Sequence, residues 1–204
     1  MYNTVFEPIL ISIDESKRQI LGYAPERAEE FQKESAKLAN KSFEKALKSS
    51  KWDEVILMCG GSASGKTEFL SEYLNDFEGI IFDGTLPTMQ GAEIKIKEIK
   101  KAKKKPIICA VLPDDLKRAF IAFLGRDRKF SDEYFYKTHS GARKTLLEVA
   151  KTHPEVEIRI YESSYRGATL FFQKIVFNSS RELIEFLNKS QYTEDEILSL
   201  VQVI

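Results

Sequence analysis

Residues 60–67 read GGSASGKT, directly after the apolar run Val55-Ile56-Leu57-Met58-Cys59. This is the phosphate-binding-loop pattern G-x-x-x-x-G-K-[ST], set where a strand should end and a helix begin. In such a loop Gly60, Gly61, Ser62, Ala63, Ser64 and Gly65 wrap tightly, so that backbone N–H groups point inward at phosphate oxygens. Lys66 reaches the β- and γ-phosphates as a point charge. Thr67 offers its hydroxyl to Mg²⁺. The helix that opens near Gly65 aims its positive end at the anion. The chemistry implied is ATP and Mg²⁺ binding; the plain alternative is a glycine-rich turn that binds nothing.

Two further groups bear on what is done with the phosphate. Asp83 closes a second apolar run, Gly79-Ile80-Ile81-Phe82, and is followed by Gly84-Thr85. Ligands of open α/β sheets bind beyond the carboxyl ends of the strands, which sets Asp83 opposite Lys66 and Thr67. An acid there can hold Mg²⁺, act as base, or bind the acceptor hydroxyl; otherwise it is a turn residue. Gly125-Arg126-Asp127-Arg128-Lys129 forms a compact basic segment between two helices. Arg126 and Arg128 can close over a nucleotide and neutralise a phosphoryl group in transfer. Its plain alternative is a solvated connection.

The rest of the chain must position these groups. At 204 residues it is one domain with room for a full core. Lys plus Arg and Asp plus Glu both number 31, which argues against a dedicated nucleic-acid binder. Cys59 and Cys109 lie in apolar runs and read as core thiols; with only His139 and His153 beside them there is no zinc pattern. The first residues lack a signal-peptide pattern and no stretch approaches a membrane span, so the expected location is cytoplasmic. The lysine run from 100 to 105 reads as the solvated end of an amphipathic helix.

Strands are expected at 55–59, 79–83, 107–112, 156–161 and 169–177. Helices are expected at 25–50, with Pro25 at its first position, and at 68–75, 88–104, 113–124 and 132–151. Ser131 is the expected N-cap of the last of these. Two more follow, one capped at Ser179 or Ser180 and one by a Thr193–Glu196 capping box. Too few residues separate the last two strands for a parallel crossover, so they should form an antiparallel edge hairpin. The expected fold is a three-layer α/β phosphate-loop domain with a mainly parallel sheet. Residues 1–50 would be a helical extension packed on a core of 51–204, and removal of residues 1–24 should leave that core folded.

The chain resembles the zeta toxin family of small-molecule kinases, whose studied members phosphorylate UDP-N-acetylglucosamine. The likeness rests on GGSASGKT, IIFDGT, ICAVLPDDLKRAF, and RDRKFSDEYFYKTH leading into VEIRIYESS, and covers roughly residues 28–165. It implies an ATP- and Mg²⁺-dependent kinase with Arg128, and more loosely Arg126, as lid arginine. It also implies a separate small helical antitoxin. It places 79–83 beside 55–59, with 107–112 and then 156–161 on the other side. His139 and Tyr136 would lie near the substrate or simply pack.

One departure stands out. Family members carry an extra strand and helical segment before the strand resembling IIFDGT, and that segment bears the usual catalytic aspartate. Here the loop helix runs almost directly into Gly79. Asp83 therefore serves alone, or the base lies elsewhere, or the activity has changed. The last case leaves an interaction module that binds ATP without transferring phosphate.

Overall fold

The computed structural model describes residues 7–167 and 169–202; the outer ends of the two expected regions, residues 1–6 and 203–204, lie outside the described residues. Six strands form one sheet: β1 (Ile9–Ser12), β2 (Glu54–Cys59), β3 (Ile80–Asp83), β4 (Lys105–Pro113), β5 (Glu157–Arg166) and β6 (Thr169–Ile175). Their order is β1-β3-β2-β4-β5-β6. All neighbours run parallel except β5 and β6, which form the expected antiparallel edge hairpin. The order of β3, β2, β4 and β5 is the one the resemblance implied.

Alternation along β2 sends its side chains to two faces. Val55, Leu57 and Cys59 join a core with Phe43 of α2 (Gln32–Ser49), Ile96 and Ile99 of α4 (Met89–Lys101), and Leu146 of α6 (Asp132–Thr152). Ile56 and Met58 face Phe69 and Leu70 of α3 (Lys66–Tyr73). A third cluster unites α6 with α5 (Leu116–Leu124) and α8 (Glu194–Val201), through Phe120, Phe123, Phe135 and Ile197. Layers of helix, sheet and helix result. Both cysteines are buried free thiols. Lys105 pairs with Glu54 and Glu157, and Lys100 with Glu155, so the lysine run is a paired surface feature.

The N-terminal region departs most from expectation. No strand is expected at residues 9–12, yet β1 extends the sheet beside β3, with Ile9↔Ile80 through Ser12↔Asp83 in register. The short helix α1 (Ile13–Lys17) follows at once. The expected helix over 25–50 is divided into a 3₁₀ turn at Pro25–Arg27 and then α2. The reason is tertiary. The Pro25 carbonyl accepts from Lys129 N–H at 2.9 Å and from Ala28 N–H at 3.2 Å, so the first α-helical bond is not made. Glu29 accepts from the Ser131 backbone N–H at 2.7 Å and from its hydroxyl at 3.1 Å. Ser131 does stand at the N-cap of α6, but its side chain is spent on Glu29 and caps nothing.

Two other ends shift. β4 continues to Pro113 and α5 begins at Leu116, because Asp115 caps it by accepting from Lys117 and Arg118 N–H. Ser179 caps α7 (Ser180–Lys189), and the Thr193–Glu196 capping box is present on α8.

Candidate active site

The loop from Gly60 to Thr67 joins β2 to α3. Gly65 adopts φ 89°, a left-handed conformation that an L side chain resists, and so turns the chain into the helix. Gly61 is required for a different reason. A Cβ there would lie 2.2 Å from the ring of His139. His139 is fully buried, donates from Nε2 to the Ser62 carbonyl at 2.8 Å, and accepts at Nδ1 from Arg143 at 3.3 Å. Burial, reinforced by Arg143, holds its pKa well below 6.5, so the ring is neutral, as that donor and acceptor pattern requires. Thr138 Oγ1 accepts from Ser62 N–H at 3.1 Å. Ser163 on β5 donates to the Ser64 carbonyl at 2.9 Å. The loop is therefore braced from α6 on one side and β5 on the other. His139 thus belongs to packing beneath the loop.

Lys66 donates to the carbonyls of Gly60 (2.9 Å) and Gly61 (2.8 Å) and to Ser64 Oγ (3.3 Å). Burial pulls its pKa down to about 8, opposed mainly by Asp83. Thr67 is exposed at the first turn of α3. Asp83 is half-buried at the end of β3, where Ser12 donates to its Oδ2 at 3.0 Å. Burial raises its pKa in spite of Lys66 and Ser12.

The two arginines occupy different places. Arg126 donates to Ser62 Oγ at 3.1 Å and so touches the phosphate loop itself. Arg128 pairs instead with Asp14 on α1. Asp14 also binds Lys17, whose ammonium is fully buried, 3.1 Å from the carboxylate and 4.5 Å from the Phe130 ring centroid. Burial pushes the Asp14 carboxyl up, but Lys17 and Arg128 together outweigh it, and its pKa ends below the ordinary value. Burial lowers Lys17, with Asp14 opposing.

Lys66, Thr67, Asp83, Arg126 and Asp14 line one narrow cleft of ≈ 50 Å³. Thr67, Asp83, Arg126 and Asp14 also line a neighbouring cavity of ≈ 890 Å³, together with Arg128. Of the expected residues, Ser62, Lys66, Thr67, Asp83 and Arg126 thus converge on the cleft, Arg128 reaches only the larger cavity, and Gly60, Gly61, Ala63, Ser64 and Gly65 line neither. Ser12, Asp14 and Lys17 escaped the sequence reading. Their one local signal was Ser12 three residues before Glu15 after an apolar run, a helix-start pattern; Ser12 Oγ does accept from Glu15 N–H. The hydroxyl of Thr67 and the carboxylate of Asp83 are hard oxygen donors, which suits Mg²⁺ shared with phosphate oxygens.

No protein family matches the sequence, and no curated protein matches it. Among solved structures the fold is similar to a chain of the AvrRxo1-ORF1:-ORF2 complex with ATP: TM-score 0.52, 12% identity, 84% of this chain and 75% of that one covered. It is also similar to a chain of the same complex with sulphate ions: TM-score 0.50, 9% identity, coverage 85% and 89%. At such identities the likeness is one of fold. Fold and loop together define a three-layer α/β protein with a mainly parallel sheet and a phosphate-binding-loop pattern. Among the described residues, no helix is long and apolar enough to cross a membrane.

Proposed function

We propose that this chain is an ATP- and Mg²⁺-dependent kinase that phosphorylates a hydroxyl of a small molecule, in the manner of a zeta toxin. One observation carries the reading: the loop lysine and threonine, an acid and an arginine share a cleft whose lining continues into a cavity large enough for an acceptor. A glycine-rich turn that binds nothing has no need of that convergence.

On this reading ATP draws Lys66 off its own loop carbonyls and onto the β- and γ-phosphates. Thr67 and Asp83 would hold Mg²⁺, which would supply positive charge against the phosphates. Arg126 already touches the loop and stabilises the phosphoryl group in transfer. Arg128 lies on the acceptor side. That a similar fold was crystallised with ATP supports the nucleotide. That it was crystallised with a second protein supports a protein partner, in keeping with a small antitoxin.

UDP-N-acetylglucosamine is the acceptor to try first. Incubation with ATP, Mg²⁺ and this sugar nucleotide should yield a phosphorylated product; none forming removes that acceptor and calls for a wider hydroxyl panel. The second reading is a module that binds ATP without transfer. The direct step from α3, ending at Tyr73, to β3, beginning at Ile80, favours it, since it leaves no room for a further strand there. Binding without turnover on any acceptor would mark that case.

A further inference from the structure

We propose that Asp14, supplied by the N-terminal β1–α1 segment, is the base that accepts the proton of the acceptor hydroxyl, with Asp83 left to the metal. The proposal rests on the kinase reading above.

A base for phosphoryl transfer must reach both the phosphate cleft and the acceptor space. Asp14 and Asp83 are the only carboxylates that line both cavities among the described residues. Their surroundings differ. Asp83 sits on the strand beside the loop strand, with Oδ2 taken by Ser12 and with Lys66 as its chief opposite charge. It belongs to the phosphate side. Asp14 lies two residues beyond Ser12, the register partner of Asp83, and so stands past the carboxyl end of the neighbouring strand.

Two charged contacts fix the Asp14 carboxylate. Oδ1 meets buried Lys17 and Oδ2 meets Arg128. A carboxylate has about four lone-pair sites, so acceptor capacity remains. The side chain keeps 39% of its surface exposed. Lys17, by contrast, has no exposed surface and is packed against Phe130. An ammonium buried beneath a half-exposed carboxylate holds that carboxylate ionised and oriented from below. β1 thereby brings an acid to the sheet edge beside the cleft, whereas Asp76 and Glu78, the acids between α3 and β3, line neither cavity.

The acceptor oxygen attacks the γ-phosphorus while its proton passes to the Asp14 carboxylate. The new O–P bond forms as the bond from the γ-phosphorus to the β,γ-bridging oxygen breaks, and ADP leaves with that electron pair.

The test compares Asp14→Asn with Asp83→Asn. Removing the Asp14 charge strands the Lys17 ammonium, so the double variant Asp14→Asn/Lys17→Met, which removes both charges, is measured beside it. The probes are Mg·ATP by calorimetry, and γ-labelled ATP with UDP-N-acetylglucosamine or water as acceptor. The expected result is Mg·ATP affinity within about twofold of wild type, with transfer lower by roughly two to four orders of magnitude in both Asp14 variants. Asp83→Asn should lose Mg²⁺-dependent affinity instead. A roughly tenfold loss of Mg·ATP affinity in the folded double variant would put Asp14 on the metal side and overturn the proposal. So would transfer within about threefold of wild type, which leaves the kinase reading standing. Wild-type protein that binds Mg·ATP and transfers neither to these acceptors nor to any member of a wider panel of small hydroxyl compounds contradicts the kinase reading itself, and the role of Asp14 with it.

Discussion

The Ser12 hydroxyl donates to Asp83 Oδ2 at 3.0 Å, and the two residues are register partners across β1 and β3. An N-terminal strand therefore helps set the charge of the acid that chiefly opposes Lys66. Ser12→Ala removes a hydrogen bond to the ionised carboxylate. The Asp83 pKa, already raised by burial, should rise further. Stability should fall by about 1 kcal/mol, read from denaturant midpoints. Mg²⁺-dependent ATP affinity should weaken several-fold, while affinity measured without Mg²⁺ should change little.

Removal of residues 1–24 tests the same relationship more severely. From the sequence alone a folded core is expected to remain. With β1 gone, β3 becomes an edge strand, Asp83 loses Ser12, and Arg128 loses Asp14. A newly bared apolar edge is an aggregation site. The truncated chain should melt at lower temperature and aggregate at concentrations where the full chain does not. A stable, monodisperse product with raised activity would instead make the N-terminal segment autoinhibitory.

Much of this arrangement was legible because it is local in the chain. The phosphate loop is a contiguous pattern, Asp83 ends an apolar run, and the β5–β6 hairpin follows from a connection too short for a crossover. What was hidden depends on distant partners. Ile9–Ser12 is four residues long and gains its identity only from β3, some 70 positions later in the chain (Ser12 and Asp83 are separated by 71). The break in the expected 25–50 helix comes from Lys129 and Ser131 taking the Pro25 carbonyl and the Glu29 carboxylate. Periodicity within a window carries no information about such bonds. Asp14 went unnoticed for the same reason, since its neighbours Arg126 and Arg128 enter from another part of the sequence.

Gly61→Ala should disrupt the loop through packing. The added methyl would stand 2.2 Å from the buried His139 ring, which has no room to retreat. Overpacking of this kind costs about 1–3 kcal/mol or more. ATP affinity should fall by at least tenfold and the melting temperature by several degrees. A variant with wild-type affinity would show that His139 does not brace the loop.

His139 also gives the chain a pH dependence with a definite sign. Its folded pKa lies well below 6.5. As pH falls through 6.5 the unfolded chain takes up a proton that the folded chain refuses. The contribution to stability is therefore whole above pH 6.5 and is lost below it, by about 1.4 kcal/mol per pH unit until the folded pKa is reached. His139→Gln keeps a donor for the Ser62 carbonyl but cannot titrate. Its stability, followed by thermal melts from pH 8 to pH 5, should fall less steeply than that of wild type. Parallel curves would mean that His139 titrates in the folded state.

On the kinase reading, the loop holding Lys66 delivers a phosphoryl group to a hydroxyl. The most direct measurement follows the label from γ-³²P-ATP with Mg²⁺ in the presence of UDP-N-acetylglucosamine and a panel of other small hydroxyl compounds. Label should appear on an acceptor with wild-type protein and on none with Lys66→Ala. Label that stays on ATP with every acceptor, while calorimetry on the same sample shows ATP bound, would contradict it.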